Sequence, residues 1–127
     1  MSKNLLLIIV IFCSFSLGAQ TITNYTTADG LVSDFVECIA VDINDNIWFG
    51  TSNGVQMFDG INWTSYNTSI YPLMPSDNIK VISAMNNGDI WIGTDFGANQ
   101  LVSGVSGSMW LPYTNSNGLG SNQVKSI

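Results

Sequence analysis

The sequence predicts an all-β fold that is built from repeated units of four antiparallel strands. Short segments rich in β-branched residues alternate between apolar and polar positions and are separated by Asn, Asp and Gly, as is typical of strands joined by tight turns. The segment Ile47–Thr51 also recurs as Ile90–Thr94, so that Ile-Trp-x-Gly-Thr is spelled twice, 43 residues apart. A motif that recurs at a fixed spacing indicates that one structural unit has been repeated.

The spacing of the repeat predicts a β-propeller, which is a ring of four-stranded sheets called blades. Propeller blades repeat about every 40–45 residues, and other pairs keep the same spacing as the motif: Val36 with Ile79, Ile39 with Ile82, and Gly54 with Gly97. We therefore expect the motif residues to have a structural role in each blade. They are Trp48, Gly50 and Thr51 in the first copy and Trp91, Gly93 and Thr94 in the second.

The repeat predicts how the chain is organised. A third copy begins near the end, because Gly118-Leu119 followed by Val124 reproduces Gly30-Leu31 followed by Val36. We therefore expect two complete blades and the start of a third. In order, the parts are a leading strand and loop (20–34), the first blade (35–66), a loop with a Pro-containing insertion (67–78), the second blade (79–113), and a loop with the first strand of the third blade (114–127).

The leading segment is predicted to help close the ring. Tyr25 stands six residues before Leu31, just as Tyr113 stands six residues before Leu119, and Tyr113 belongs to a fourth strand. Residues 22–26 therefore have the position of a fourth strand without a blade of its own. Pairing this strand with the last blade of a ring would protect both sheet edges.

Residues 1–19 are predicted to form a secretory signal peptide. Lys3 precedes the apolar run 5–12, and small residues follow as far as Ala19, which is the order found in such signals. A retained signal anchor is the alternative, but the run is shorter than the roughly 20 apolar residues that cross a bilayer. No later segment is apolar enough to span a membrane. We expect the mature chain to be periplasmic, displayed at the cell surface or secreted.

Charge and cysteine usage narrow the possible partners. Removing the leader leaves nine acidic residues against Lys80 and Lys125, a net charge of −7. Such a charge disfavours nucleic acid and anionic lipid as partners. The remaining cysteine, Cys38, has no partner for an internal disulfide and lies in an apolar stretch. We expect it to be a small buried hydrophobic residue rather than a reactive thiol.

Two motifs resemble catalytic or metal sites, and both are predicted to be turns. Residues 50–54 fit the G-x-S-x-G spelling of a hydrolase nucleophile elbow, which needs a strand-turn-helix and a His partner, but the chain contains no His. Asp42, Asn44 and Asn46 have the spacing that opens a calcium loop, but the later positions of that loop are not filled by Gly and Glu. We predict no catalytic residue, no metal, no cofactor and no enzymatic activity.

The remaining candidates for ligand binding lie in loops. The four tryptophans recur at fixed positions, which favours packing between blades over a platform for sugars. Aromatic residues outside the repeat are better candidates. Acidic residues in the loops that join strands, where propellers present their binding face, are individually turn formers or solubilising charges more often than ligand-binding groups, but together they would make one rim acidic. An acidic rim would favour partners that offer hydroxyls, amides or cations. The candidate residues are Asp34, Tyr71, Asp77, Asp95 and Phe96.

These motifs together resemble the two-component regulator propeller repeat. The resemblance is carried by Gly-Leu, Val-x-x-Ile, Ile-Trp-Phe/Ile-Gly-Thr and Gly-Val-x-x-Phe-Asp-Gly-x-x-Trp, and it covers residues 22–127 except that the second copy lacks Phe-Asp-Gly after Gly97. It implies a multi-bladed propeller outside the cytoplasm, similar to the sensory part of hybrid histidine kinases, and it implies no chemistry by itself. We expect the partner to be an unidentified ligand, such as a glycan or a peptide, or a protein. The alternative is a secreted or surface-displayed propeller that acts in adhesion or as a scaffold and is exported with a C-terminal sorting domain.

Overall fold

The described part of the chain is all-β, as predicted. The computed structural model describes residues 21–104, 107 and 109–127, so the predicted signal peptide lies outside the described residues. The described residues form two four-stranded antiparallel sheets, each with its strands in chain order. The first sheet contains β1 (Val36–Val41), β2 (Ile47–Thr51), β3 (Gly54–Phe58) and β4 (Trp63–Tyr66), and the second contains β5 (Ile79–Ala84), β6 (Ile90–Thr94), β7 (Gly97–Val102) and β8 (Met109–Tyr113).

The two sheets share their register as well as their strand order. Val36 pairs with Thr51 in the first sheet and Ile79 pairs with Thr94 in the second, and in both sheets the pairing shifts by one residue directly afterwards. The first hairpins turn in the same way, because Asp45 has a φ of 62° and its counterpart Gly88 a φ of 90°. Asp and Gly are among the residues that adopt this left-handed conformation at least cost, which explains the turn residues found there.

The core lies between the two sheets. The register places Trp48, Val55 and Tyr66 on one face of the first sheet, and these pack against the face of the second sheet that carries Ile82 and Ile92. We call the sheet face that is turned toward the preceding unit its leading face, and the opposite face its trailing face. The trailing face of the first sheet therefore covers the leading face of the second.

The motif glycines allow this close packing. A Cβ added at Gly50 would lie 2.8 Å from Cγ2 of Ile79, and one added at Gly93 would lie 2.6 Å from Cγ1 of Val124. Distances below 3.0 Å are not found between real Cβ atoms and their neighbours, so neither position has room for a side chain. Val124 thus packs on the trailing face of the second sheet as Ile79 packs on that of the first. The structure assigns no strand to 124–127, although the backbone N–H of Val124 donates to the carbonyl of Thr94 at 3.0 Å.

Burial of the tryptophans follows from this arrangement. Trp48 on the trailing face of the first sheet and Trp110 on the leading face of the second are 4% and 5% exposed, because each lies between the sheets. Their repeat counterparts Trp91 and Trp63 lie on the outer faces and are only partly buried. All four contact other aromatic rings. Within the described residues, no helix is long and apolar enough to cross a membrane.

Candidate functional site

The antiparallel topology brings the predicted loop residues to one end of the two sheets. We call it the loop end; it contains the β2–β3 and β6–β7 turns and the loops that precede each sheet. The opposite end, which we call the hairpin end, contains the β1–β2, β3–β4, β5–β6 and β7–β8 turns. The backbone N–H of Gly54 in the first sheet donates to the carbonyl of Asp77 at 2.8 Å, in the loop before the second. The loop ends of the two sheets therefore lie side by side.

Asp34 and Asp77 fasten the loops in which they lie. The Asp34 carboxylate accepts hydrogen bonds from the backbone N–H of Thr27 at 2.6 Å and from its hydroxyl at 3.3 Å. The Asp77 carboxylate makes the same pair of bonds with Thr68, at 2.6 and 2.9 Å. In the loop before Val124, the Asn122 side chain accepts from the backbone N–H of Asn115 at 2.6 Å. The same kind of hydrogen bond therefore fixes each of these three loops. A role of Asp34 and Asp77 in ligand binding stays a prediction.

Asp77, Asp95 and Phe96 come together at the loop end. Asn78, which follows Asp77, donates from Nδ2 to the Asp95 carboxylate at 2.5 Å. The neighbouring ring of Phe96 is 63% exposed, at the tip of the β6–β7 turn. Asp34 is the counterpart of Asp77, 43 residues earlier, in the loop before the first sheet. The Asp95 carboxylate next to the exposed ring of Phe96 offers a hydrogen-bond acceptor and an apolar surface to a partner that approaches this end, whereas the Asp77 carboxylate is occupied by Thr68.

The two motifs that resemble active sites are turns, as predicted. Residues 50–54 form the β2–β3 turn, in which the Thr51 hydroxyl donates to the carbonyl of Gly54 at 2.9 Å. The β6–β7 turn repeats this bond between Thr94 and Gly97 at 2.8 Å. The strand-turn-helix of a nucleophile elbow is therefore replaced by a strand-turn-strand. In the described part of the chain, no group of three or more His, Cys, Asp or Glu lies close enough to hold a metal ion.

The Asp42 turn at the hairpin end is an internal hydrogen-bonded unit. The Asp42 carboxylate accepts from Trp48 Nε1 at 2.8 Å, from Asn46 Nδ2 at 3.0 Å and from the backbone N–H groups of Asn44 and Asn46. Partial burial raises the pKa of Asp42, but these hydrogen bonds together outweigh burial and hold the pKa below its usual value. The calcium-like spacing of this turn thus serves to anchor the Trp48 indole.

Asp89 has a related role in the second sheet. Its carboxylate accepts from the backbone N–H of Ser103 at 2.8 Å, from Gln100 Nε2 at 2.8 Å and from Asn87 Nδ2 at 2.9 Å. These bonds, above all that from the Ser103 backbone, lower the pKa of Asp89. The carboxylates of Asp42 and Asp89 are therefore both committed to the turns that contain them.

Cys38 lies half-buried on the trailing face of the first sheet, against Gly50 and the second sheet. Burial raises the pKa of its thiol, which disfavours the reactive thiolate. The expectation of a small packing residue agrees with this environment.

Tyr71 packs on other aromatic rings and lines a cavity. It belongs to the 67–78 loop, and its ring contacts those of Tyr66 and Trp110, with centroids 5.5 and 6.4 Å apart. The cavity has a volume of about 330 Å³ and lies between residues 70–73 of this loop and residues 109–111 of β8. Sequence reasoning selected Tyr71 but missed the rest of the lining. The sequence does contain a signal for the cavity, because the 67–78 loop is two residues longer than its counterparts 26–35 and 114–123.

A comparison with protein families agrees with the repeat. The described residues form two β-sheets that pack face to face, with glycine contacts at corresponding positions of the repeat. This arrangement is typical of the class of repeat-built β-proteins. Residues 30–53 match the family described as two component regulator propeller, which confirms the resemblance seen in the motifs. The matched segment runs from the loop before β1 to the β2–β3 turn. None of the curated proteins compared with the chain is similar enough to count as a relative.

Proposed function

We propose that the chain is part of a non-catalytic β-propeller outside the cytoplasm, which binds a glycan, a peptide or a protein at its loop end. By this proposal it acts as the sensing module of a two-component regulator. The observation that carries the proposal is the repeated contact of Ile79 with Gly50 and of Val124 with Gly93. The second sheet packs on the first as Val124 packs on the second, and a ring of blades would repeat this relation. The match of residues 30–53 to the regulator propeller family supports it.

The choice of the loop end rests on what each end offers to a partner. At the hairpin end, Asp42 and Asp89 use their carboxylates to hold turns. At the loop end, the Asp77 carboxylate is likewise used by Thr68, but the ring of Phe96 is 63% exposed at the tip of its turn and its neighbour Asp95 accepts from Asn78 Nδ2. Binding residues in propellers are carried by loops that a rigid scaffold positions.

Binding at the loop end is tested by screening the chain against arrays of oligosaccharides and of short peptides. The variant Phe96→Ser removes an exposed ring and should abolish the signal of any array member that the chain binds. The matched control Ile43→Ser removes an exposed apolar side chain, 58% exposed, at the hairpin end and should keep the signal. A signal that survives Phe96→Ser and is lost in Ile43→Ser would place binding at the other end.

Export is tested with the native leader in a bacterial host. We expect the mature protein to be recovered outside the cytoplasm with Gln20 as its first residue, as determined by mass spectrometry. The variant Leu7→Arg, which interrupts the apolar run, should retain the full-length chain in the cytoplasm. Cytoplasmic recovery of the unaltered chain with Met1 in place would contradict the proposal.

A further inference from the structure

The chain contains three Asn-Gly pairs, which begin at Asn53, Asn87 and Asn117. Asparagine is a thermolabile residue, and it loses its side-chain amide most readily before glycine, because glycine has no side chain to hinder attack by its backbone nitrogen on the asparagine Cγ. All three asparagines are exposed, so water reaches each of them. The reaction also needs a glycine nitrogen that is free to move and has open space around it.

The first two glycines are held in place. The backbone N–H of Gly54 donates to the carbonyl of Asp77 at 2.8 Å, and a Cβ added at Gly54 would lie 2.5 Å from the carbonyl oxygen of Tyr66. The backbone N–H of Gly88 donates to the carbonyl of Met85 at 2.9 Å, and a Cβ added there would lie 3.2 Å from the nearest side-chain atom. Both hydrogen bonds have the usual length of a well-formed backbone bond. Attack by either nitrogen therefore requires a local opening of the chain.

The third glycine is the least restrained. The backbone N–H of Gly118 donates to the carbonyl of Asn115 at 3.4 Å, which is longer than the usual range for such a bond. A Cβ added at Gly118 would meet nothing within 4 Å. The Asn117 side chain accepts from the backbone N–H of Thr114 at 2.6 Å and donates to the carbonyl of Pro112 at 2.9 Å. Both of these bonds lie at the surface, where water can replace them at little cost.

An aspartate in place of Asn117 would fit the turn in which it lies. Residues 26–30 and 114–118 form the same short turn twice, and each copy ends in a glycine, with φ of 110° and 108°. Asp29 of the first copy stands where the second copy has Asn117. Its carboxylate accepts from the backbone N–H three residues earlier at 2.9 Å, as Asn117 Oδ1 does at 2.6 Å. The first copy therefore shows that aspartate makes the bond that closes this turn.

We propose that Asn117 is a site of spontaneous deamidation in the folded chain. The backbone nitrogen of Gly118 bonds to Cγ of Asn117, and the side-chain nitrogen leaves as ammonia with the proton of the Gly118 N–H. Water then opens the five-membered ring at either carbonyl, which gives aspartate or isoaspartate. The aspartate product keeps the bond from Thr114 and adds one negative charge, whereas isoaspartate adds a methylene to the backbone and breaks the turn. This inference goes beyond the proposed function, since it needs neither a closed ring nor a bound partner.

The test follows the full chain in mildly alkaline buffer and compares the three pairs by peptide mapping with mass spectrometry. Deamidation replaces an amide by a carboxylate, which is detected as a small gain in peptide mass. We expect the peptide that contains Asn117 to react about tenfold faster than those that contain Asn53 and Asn87, because the latter two need the opening of a firm backbone hydrogen bond. In urea, where the fold protects none of them, the three peptides should react at similar rates.

Three variants complete the test. Asn117→Gln should abolish the main acidic species that anion-exchange chromatography separates, because the longer glutamine side chain forms its ring slowly, and the matched control Asn53→Gln should keep that species. Asn117→Asp reproduces the aspartate product and should melt at the temperature of the unaltered chain. The proposal is overturned if Asn53 or Asn87 reacts as fast as Asn117 in the folded chain, if the three rates differ as much in urea, or if the acidic species survives Asn117→Gln. A lower melting temperature of Asn117→Asp would contradict the fit of the product.

Discussion

Tyr25 lies against Trp63 in the same way that Tyr66 lies against Trp110. The ring centroids are 5.8 Å apart with an interplanar angle of 80° in the first pair, and 5.4 Å apart with 67° in the second. Tyr66 belongs to the fourth strand of the first sheet and Trp110 to the fourth strand of the second. Tyr25 therefore stands, relative to the first sheet, where the fourth-strand tyrosine of a preceding sheet would stand.

This relationship supports the predicted role of the leading segment. The structure assigns no strand to residues 21–26, so their pairing with the last blade of a ring stays a prediction. The apolar surface next to them favours it, because Val36, Ile39 and Val41 in β1 are exposed on this side of the sheet. In the second sheet, the counterpart of Ile39 is Ile82, which the first sheet covers.

The aromatic contact of Tyr25 should contribute to stability. We expect Tyr25→Ala to lower the free energy of unfolding by about 1–2 kcal/mol, because it removes ring contacts with both Phe58 and Trp63. Urea denaturation followed by tryptophan fluorescence measures the change. The control Ile22→Ala alters a side chain that is 88% exposed and should be neutral. Equal losses in the two variants would mean that the segment contributes without the tyrosine contact.

The motif glycines should be intolerant of any side chain. Gly50→Ala would force its Cβ against Ile79 and Cys38, so we expect a loss of about 1–3 kcal/mol in the free energy of unfolding, as for other overpacked cores. Gly120 provides the control, since a Cβ there meets nothing within 4 Å. Gly120→Ala should change stability by less than about 0.5 kcal/mol. Thermal melts of both variants decide the matter, and a neutral Gly50→Ala would contradict the packing described between the sheets.

The strands and turns of this protein could be predicted closely from sequence because their causes are local. Alternating apolar residues separated by Asn, Asp and Gly predicted repeated units of four antiparallel strands, and the structure has two such sheets, the first beginning with Val36–Val41 and Ile47–Thr51. Because the two units share their spacing, a strand or turn predicted in the first unit also predicted its counterpart in the second. The glycine contacts explain why the motif needs Gly at these positions.

The candidate site was predicted only in part because it depends on distances between segments. The acidic loop residues were candidates for ligand binding, and the sequence alone does not show that Thr27 and Thr68 donate hydrogen bonds to the carboxylates of Asp34 and Asp77. The cavity lies between the 67–78 loop and β8, which do not pack closely against each other at this place. A comparison of the repeats at fixed spacing would have pointed to the cavity, because Leu73 stands 43 residues after Gly30 and has a side chain where the first repeat has none.

The side chain of Asn99 is buried and has no hydrogen-bond partner among the described residues, so it should cost stability. We expect Asn99→Val to raise the free energy of unfolding by about 1 kcal/mol, because a buried amide without partners is replaced by an apolar group suited to a strand. Gln56→Val should have the opposite effect, with a loss of about 1–3 kcal/mol, since it breaks the bonds to Gly30 and Val32. Both are measured by urea denaturation. Destabilisation by Asn99→Val would show that a bound water satisfies the amide.

Acid should weaken the hairpin end through Asp42. Its pKa is lowered in the folded chain, so the carboxylate stabilises the fold above its ordinary pKa of about 4, and this contribution is lost as the pH falls through the folded value. We expect the free energy of unfolding to fall by a smaller amount in Asp42→Asn than in the unaltered chain when the pH is lowered from neutral to about 3. The two amounts should differ by less than about 1 kcal/mol, because the turn lies at the surface. Asp45→Asn removes a charge from the same turn and leaves the bond from Trp48 Nε1 in place, so it should keep most of the pH dependence. The two variants are compared by urea denaturation across this pH range, and an unchanged slope in Asp42→Asn would assign the acid sensitivity to other carboxylates.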